Sequence, residues 1–281
     1  MNRAGLGGAV VACVFVVAAA GAPLLAPYDP ALLSGPPLAL PSAAHLLGTN
    51  DIGQDGLSRL LYGVRTSLLI AGSVAGISAV LSWAVGLAAG ISRLAETVLM
   101  PLTELLLALP SLPLYLLTVT LVGPSLTNLV LTLALLSWPS FARIVRSLVL
   151  TVRATPYVEA AQAMGATRLH VARRHLLPAT LDVLPAKLIL TVRFAVFTEA
   201  TLAFLGLGDP TTVSCGTMLS HAFDDPLLFT RPVWPWIVLP PALAVAGLVL
   251  TTVALSRSLE ARLAPGGAAA RRPRGYKQAA E

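Results

Sequence analysis

Long uncharged runs alternate with short charged stretches along this chain. Residues 4–28, 66–92, 105–142 and 232–256 contain no Asp, Glu, Lys or Arg. A fifth apolar run, residues 184–207, is interrupted only by Lys187, Arg193 and Glu199. Each run is long enough to cross the hydrocarbon core of a bilayer, which needs roughly 20 helical residues. The pattern therefore predicts an all-α, polytopic membrane protein.

The longest run contains the sequence GPSLTN at positions 123–128. Gly, Pro and small polar side chains favour a turn, so we expect this run to fold as a hairpin of two helices. Pro240 and Pro241 predict a kink or break in the last span. With this division the sequence predicts six transmembrane helices, at about residues 5–26, 66–90, 97–121, 126–146, 184–206 and 233–255.

Basic residues are distributed unevenly between the two sides of this arrangement. If the N-terminus is cytoplasmic, only Arg59, Arg65 and Arg231 of the 19 Lys and Arg residues lie in outer segments, and Arg193 lies within a span. This excess of positive charge on one side follows the positive-inside rule. We therefore predict that both termini are cytoplasmic and that residues 147–183 form a cytoplasmic loop.

The composition agrees with a chain surrounded mostly by lipid. Hydrophobic residues make up 56% of the chain and charged residues 11%, whereas soluble domains carry about 25% charged residues. Because the formal net charge of +6 follows from the topology, nucleic acid is not an expected partner. The two cysteines provide neither a disulfide framework nor the spacing of a metal site.

The cytoplasmic loop contains helix-forming residues with breakers at regular positions. Thr155 is placed to cap a helix that begins at Pro156, and Gly165 is placed to end it with a positive φ angle. A second short helix is predicted to begin at Thr167 and to end before Pro178. The loop therefore predicts two short helices at an angle, held beneath the membrane.

Two interpretations of this loop remain open from the residues alone. Ala160, Ala161 and Ala163 form a face of small residues onto which another backbone can pack closely. That face favours a docking site for a partner. Alternatively, the basic residues of the loop only fix the topology of the chain.

The loop resembles the EAA motif of the membrane subunits of bacterial ATP-binding cassette (ABC) importers. The matching positions are Glu159, Ala160, Ala161, Gly165, His175, Leu177 and Pro178. Three other stretches are similar to the dipeptide, oligopeptide and nickel permease family, in its second, shorter-looped subunit type. They are HLLGTNDIGQDGLSRLLYGVRTSLLIA at 45–71, EATLAFLGLGDP at 199–210 and GTMLSHA at 216–222.

This resemblance implies the type I importer fold, with six transmembrane helices and cytoplasmic coupling helices that lie in a groove on a separate ATPase. It implies that the matching loop residues transmit ATPase closure to half of a translocation pore. The implied partners are a homologous second permease, one or two ABC ATPase subunits, an extracytoplasmic substrate-binding protein and the lipid bilayer. Peptides are the expected cargo, and nickel or metal chelates are the alternative.

The chain contains no G-x-x-x-x-G-K-[ST] phosphate-binding loop. We therefore expect no catalytic residue, metal or cofactor on this chain, with ATP and Mg bound by the partner ATPase subunits. The expected location is the bacterial inner (plasma) membrane. We divide the chain into an N-terminal helix with an extracytoplasmic segment (1–64), a permease domain (65–258) and a cytoplasmic tail (259–281) that we expect to be disordered.

Glu104, Arg193 and Glu199 fall inside predicted spans, where charged groups usually face a partner or a cavity. Glu104 and Arg193 have similar predicted depths, so we hypothesise that they pair between the third and fifth helices. The pair either lines the translocation path or only joins the two helices without contact to the substrate, and Glu199 is a further candidate for that path. Glu199 lies nearer the outer surface. It either packs against the second permease or binds the amino group of a peptide or a metal ion.

The outer segments 27–64 and 208–232 are predicted to receive the substrate-binding protein or, alternatively, to pack as a lid on the chain's own helices. An amphipathic helix at about residues 53–62 is expected there. Its two sides would carry Leu57, Leu60 and Leu61 opposite Asp55 and Arg59.

An intramembrane serine protease is the remote alternative, with Ser125 as the nucleophile and His221 as its base. Ser125 follows a proline in a turn, and His221 lies in an outer segment with Asp224 and Asp225. Nothing in the sequence places the serine and histidine within hydrogen-bond reach. We therefore expect that the chain is not an enzyme.

Overall fold

The computed structural model describes residues 3–263 of the chain. Within this range the regular structure is helical, with two isolated β-bridges and no strand. The α-helices are α1 (Arg3–Ala20), α2 (Ala22–Leu25), α3 (Gly56–Ile91), α4 (Arg93–Ala108), α5 (Ser111–Val122), α6 (Leu126–Ser137), α7 (Pro139–Arg153), α8 (Pro156–Ala163), α9 (Arg168–Val171), α10 (Leu177–Leu181), α11 (Leu184–Leu202), α12 (Cys215–Phe223) and α13 (Trp234–Leu263). Wider π-helical turns follow α9 and α11, at Ala172–Leu176 and Ala203–Leu207, and a 3-10 turn lies at Leu228–Thr230. Most of the predicted cytoplasmic tail, from residue 264 onward, lies outside the described residues.

Within residues 3–263, four helical segments are long and apolar enough to cross a membrane. They are Gly56–Ile91, Leu126–Arg153, Leu184–Leu207 and Trp234–Ser258. Helices α4 and α5 form a fifth span if the pair, bent by 96°, is counted as one, and Gly7–Ala20 is a shorter apolar helix. These six elements correspond in order to the six predicted helices. The all-α, polytopic fold is thus confirmed.

The predicted third helix, at about residues 97–121, is broken in its middle. Leu109 adopts an extended conformation with ψ of 139°, and Pro110 precedes the start of α5. A proline disfavours the helical conformation of the residue before it, so Pro110 ends α4. In the last span, by contrast, α13 continues through Pro240 and Pro241, so these prolines do not break it.

Helix α3 is the centre of the fold and packs on α1, α6, α7 and α11. A Cβ atom added at Gly86 would lie 2.5 Å from the carbonyl oxygen of Ala142, and one added at Gly90 would lie 2.6 Å from Cβ of Val149. The two glycines are four residues apart and share a helix face. They let α3 and α7 approach closely, as small residues do in other membrane helix pairs.

Side chains from two other helices satisfy the backbone at the break between α6 and α7. Pro139 begins α7 and has no backbone N–H to donate. The hydroxyl of Ser82, on α3, donates to the carbonyl oxygen of Trp138 at 3.1 Å. The ammonium of Lys187, on α11, donates to the carbonyl oxygen of Ser137 at 3.1 Å. The break is therefore held by both neighbouring spans.

The segment before α3 is compact and is organised by buried polar side chains. The Asp55 carboxylate accepts hydrogen bonds from the backbone N–H and hydroxyl of Ser58, at 2.8 and 2.7 Å, and so caps α3. Its other oxygen lies 2.9 Å from Nδ1 of His45. Arg59 is also buried, and its guanidinium donates to the side-chain oxygen of Gln54.

This arrangement corrects the prediction of a separate amphipathic helix at residues 53–62. Helix α3 begins at Gly56 and continues without a break to Ile91, through the domain boundary expected at residues 64 and 65. The side predicted to carry Asp55 and Arg59 is buried, because both side chains bond to the folded segment before the helix.

Candidate functional site

The EAA loop folds as two helical pieces that we name the coupling segment, residues 156–181. As predicted, its first helix, α8, begins at Pro156 and Thr155 occupies the N-cap position. The expected side-chain cap is absent, because the Thr155 hydroxyl donates instead to the carbonyl oxygen of Val152 at 2.6 Å. The hydroxyl thus ties the start of the segment to the end of α7.

The end of α8 has the hydrogen bonds of a Schellman motif. The backbone N–H of Gly165 donates to the Gln162 carbonyl at 2.9 Å, and that of Ala166 donates to the Ala161 carbonyl at 3.0 Å. Gly165 has a φ angle of +91°, which confirms the predicted positive φ. This residue sets the sharp turn between the two pieces.

The sequence predicted that the second piece ends before Pro178. In the structure the helix continues past this proline. Helix α9 continues into a π-helical turn, in which the N–H of Leu177 donates to the carbonyl oxygen of Ala172, and then into α10, which ends at Leu181. The π-helical turn widens the backbone directly before Pro178. Because an α-helix would place the proline ring against the carbonyl four residues earlier, this widening explains how the helix continues.

The inner face of the coupling segment is fastened to α7 and α3. Val158, Val171 and Leu176 are buried in one hydrophobic cluster with Val149 and Val152 of α7. These aliphatic contacts bury both pieces of the segment on the same helix. A displacement of the segment must therefore move α7 with it.

Two hydrogen bonds join this unit to α3. The indole Nε1 of Trp83 donates to the hydroxyl of Thr180 at 3.0 Å. The Arg153 guanidinium, at the end of α7, donates to the carbonyl oxygen of Gly90 at 2.7 Å. The guanidinium lies at the C-terminal end of α3, where the helix dipole favours a positive charge.

The outer face of the coupling segment carries most of the residues that match the EAA motif. Glu159, Ala160, Gly165 and Pro178 are exposed, whereas Ala161, His175 and Leu177 are half-buried. The seven motif residues therefore lie together on one segment. Their role in contacting an ATPase stays a prediction.

The sequence reasoning missed four exposed apolar side chains on this segment. Tyr157 is 53% exposed, Met164 83%, Leu169 59% and Leu181 46%. Their exposure follows from which face packs on α7, and a short helix gives no reliable periodicity for predicting that face.

The predicted pair of Glu104 and Arg193 does not form within the described residues. Glu104 is exposed on α4 and Arg193 is half-buried on α11. No ion pair within residues 3–263 joins them. Glu96 on α4 instead pairs with Arg146 on α7, which links the start of the bent span to the helix that carries the coupling segment.

Glu199 lies inside the chain and not at its surface. It is 1% exposed, and the Ser67 hydroxyl of α3 donates to its carboxylate at 3.0 Å. Helix α12 packs directly over this region, since a Cβ added at Gly216 would lie 2.8 Å from the Ala200 carbonyl oxygen. Glu199 therefore joins α3 and α11 within this chain, and neither surface role expected for it fits this burial.

Two other site hypotheses can be compared with the structure. In the described part of the chain, Ser125 and His221 share no hydrogen bond, and His221 is exposed on α12. Residues 3–263 contain no group of three or more His, Cys, Asp or Glu side chains that could hold a metal ion.

Comparison with known proteins defines the class of protein to which this architecture belongs. Residues 78–265 match the family described as the inner membrane component of binding-protein-dependent transport systems. The match covers more than half of the chain, and the chain therefore belongs to this family.

Individual relatives extend the similarity beyond the family region. The di/tripeptide transport system permease protein DppC of Pseudomonas aeruginosa (strain UCBPP-PA14) is 37% identical over 273 residues, which cover 94% of this chain and 88% of the relative. The dipeptide transport system permease protein DppC of Haemophilus influenzae is 33% identical over 94% of this chain and 91% of the relative. A putative peptide transport system permease protein of Brucella suis biovar 1 is 37% identical over 73% of this chain and 68% of the relative.

Proposed function

We propose that this chain is the permease subunit that forms half of the translocation pore of an ATP-driven peptide importer. The observation that carries the proposal is the coupling segment, which is buried on α7 and hydrogen-bonded to α3 while its motif face stays exposed. Relatives named as dipeptide and di/tripeptide permeases support peptides as the cargo.

In this proposal the coupling segment transmits the movement of a separate ATPase to the membrane spans. Closure of two ATP-loaded ATPase subunits displaces α8, and the buried contacts of Val158 and Leu176 pass the displacement to α7. Because Gly86 and Gly90 bring α3 into close contact with α7, the two spans move together. ATP and Mg stay on the ATPase, and the exposed Glu159 carboxylate meets a basic residue there.

The two outer segments form the proposed docking face for the substrate-binding protein. Asn50 and Asp51 of the first segment line the same cavity as His221 and Asp225 of the second. The two segments therefore meet at this cavity. The positive-inside distribution supports cytoplasmic termini in the inner membrane. In the proposed orientation the coupling segment lies in the cytoplasm, on the side of the ATPase.

The test is transport by the complete complex, with this chain, its second permease, its ATPase and its binding protein reconstituted in liposomes. We expect ATP-dependent uptake of labelled di- and tripeptides, competed by unlabelled peptide and not by a nickel–histidine chelate. Uptake of the nickel chelate without competition by peptide would overturn the cargo assignment. Equal uptake by liposomes that lack this chain would overturn its role as a permease.

A further inference from the structure

A lysine is buried inside a membrane span without a carboxylate partner. Lys187, the fourth residue of α11, is 5% exposed. Its ammonium donates to the Ser137 carbonyl oxygen and lies 5.4 Å from the centre of the Phe141 ring. No ion pair in the part of the chain that the structure describes includes it. An ammonium has three N–H donors, so this lysine retains both charge and hydrogen-bonding capacity for a ligand.

Lys187 lines a cavity between α5, the start of α7 and α11. Its volume is about 340 Å³, which lies within the range of small-molecule pockets. Aromatic rings and hydroxyl groups surround the ammonium. The aromatic lining residues are Tyr115, Phe141 and Phe194, and the Ser and Thr residues of the lining are Ser111, Ser137, Ser140 and Thr191.

Leu107, Ile144 and Leu190 line the open side of the cavity and are 41%, 52% and 37% exposed. No other helix of residues 3–263 buries them. In the proposed two-subunit pore this side faces the second permease, so that the cavity borders the route between the subunits and Lys187 is a charge on its wall.

We propose that Lys187 contacts the substrate by binding the carboxylate of a peptide during translocation. A charge-assisted hydrogen bond between ammonium and carboxylate is stronger than a neutral one, and the aromatic walls accommodate apolar side chains of the peptide. This inference rests on the proposed peptide cargo. Since Lys187 lies about one turn from the start of α11, the proposed orientation places this contact near the cytoplasmic exit.

A purely structural role is the competing explanation, because the ammonium also caps the end of α6. We therefore compare Lys187→Met with Lys187→Arg in the reconstituted complex, and measure tripeptide uptake together with ATP hydrolysis stimulated by the loaded binding protein. We expect Lys187→Met to lower trialanine uptake at least tenfold while ATP hydrolysis stays within twofold of the unsubstituted complex. Lys187→Arg keeps at least half of the uptake because it keeps the charge.

A protection experiment then identifies the group that is bound. Ser140→Cys, in the same cavity and in a background with Cys13→Ala and Cys215→Ala, is labelled with a cationic methanethiosulfonate in the detergent-solubilised complex. With Lys187 present, trialanine is expected to slow labelling at least threefold, and trialanine amide is expected not to. When Lys187→Met is added, the difference between the acid and the amide is expected to disappear.

Three results would overturn the inference. One is Lys187→Met uptake equal to that of the unsubstituted complex. Another is a parallel loss of uptake and ATP hydrolysis in both the methionine and arginine variants, which assigns Lys187 a structural role. The third is equal protection, or none, by the acid and the amide. If the unsubstituted complex imports no peptide at all, the proposed function fails instead, so the two failures are distinguishable.

Discussion

The indole Nε1 of Trp83 donates a 3.0 Å hydrogen bond to the hydroxyl of Thr180, across the boundary between the central span and the coupling segment. Trp83 lies on α3 and Thr180 lies on α10, near the end of the segment. The bond therefore ties the helix at the centre of the spans directly to the element that we expect the ATPase to move.

Removing this bond should uncouple transport from ATP hydrolysis. We expect Trp83→Phe and Thr180→Val each to lower the number of peptides imported per ATP several-fold, since one hydrogen bond contributes about 1 kcal/mol. The double variant should be no worse than either single variant. Parallel measurements of uptake and ATPase rate in proteoliposomes give this ratio.

The control for Thr180→Val is Thr120→Val, because the Thr120 hydroxyl bonds only to the carbonyl of Leu116 on its own helix. It should leave the ratio unchanged. Additive losses in the double variant, or an equal loss in the control, would show that the Trp83–Thr180 bond does not carry the coupling.

The close contact of α3 and α7 predicts a steric effect at two glycines. Gly86→Ala and Gly90→Ala each place a Cβ within 2.6 Å of atoms on α7, so the helices must separate. We expect a loss of about 1–3 kcal/mol in stability, the usual range for overpacking, measured as a lower thermal unfolding temperature in detergent. Gly76→Ala is the matched control, since nothing lies within 4 Å of a Cβ there. A control as destabilised as the two variants would contradict the packing argument.

The turn at Gly165 predicts a graded response to substitution. Alanine at a φ of +91° is strained by about 1–2 kcal/mol, so Gly165→Ala should weaken binding of the ATPase to the permease. Asparagine tolerates positive φ better than alanine, and Gly165→Asn should recover part of the binding. Affinity is measured with purified ATPase and detergent-solubilised permease pair. Equal affinities for the two variants would exclude backbone strain as the cause.

The hydrogen bonds to the Asp209 carboxylate predict that the folded chain is less stable at acid pH. The hydroxyl and N–H of Thr211 and the N–H of Leu126, the first residue of α6, donate to its carboxylate. These bonds, with that of the Thr211 hydroxyl first, lower the pKa of Asp209 below its ordinary value. The stabilisation is therefore present above the unfolded pKa of about 4 and is lost as the pH falls through the lower pKa of the folded state.

Thermal unfolding in detergent, measured between neutral pH and about pH 3, tests this contribution. Asp209→Asn should be less stable at neutral pH and should lose part of the acid-side decrease. Asp224→Asn, in the same outer segment, should behave like the unsubstituted chain. An identical pH profile for Asp209→Asn and the unsubstituted chain would contradict the prediction.

Local signals in the sequence were sufficient for the elements whose ends depend on single residues. Gly165 was predicted to end α8 because glycine has no Cβ and adopts a positive φ angle without a steric clash. The uncharged runs similarly located the spans, since a bilayer imposes a minimum apolar length. Proline was less informative. Pro110 breaks its helix, whereas the helix continues through Pro178 after a π-helical turn. The sequence does not distinguish these two cases.

The parts of the site that depend on tertiary packing were not predictable from the sequence. Lys187 counted only as one of the positive charges that set the topology, yet it is buried against the break between α6 and α7. Glu104 and Arg193 had similar predicted depth but lie on helices whose facing sides the sequence does not define. Glu199 was expected at a subunit or substrate surface, and its burial follows from the packing of α12 over α11.

Site-directed cross-linking at Met164 tests the central claim most directly, because this side chain is the most exposed apolar group of the coupling segment. Met164→Cys is introduced with Cys13→Ala and Cys215→Ala, and the assembled complex is treated with a bifunctional thiol reagent in native membranes. The account predicts a cross-link to an ATP-hydrolysing subunit, with an efficiency that changes when ATP is bound. Leu227→Cys, also exposed but at the opposite end of the molecule, should give no such product. Labelling of Met164→Cys only from outside the cell, or no cross-link to an ATPase in an active complex, would contradict the account.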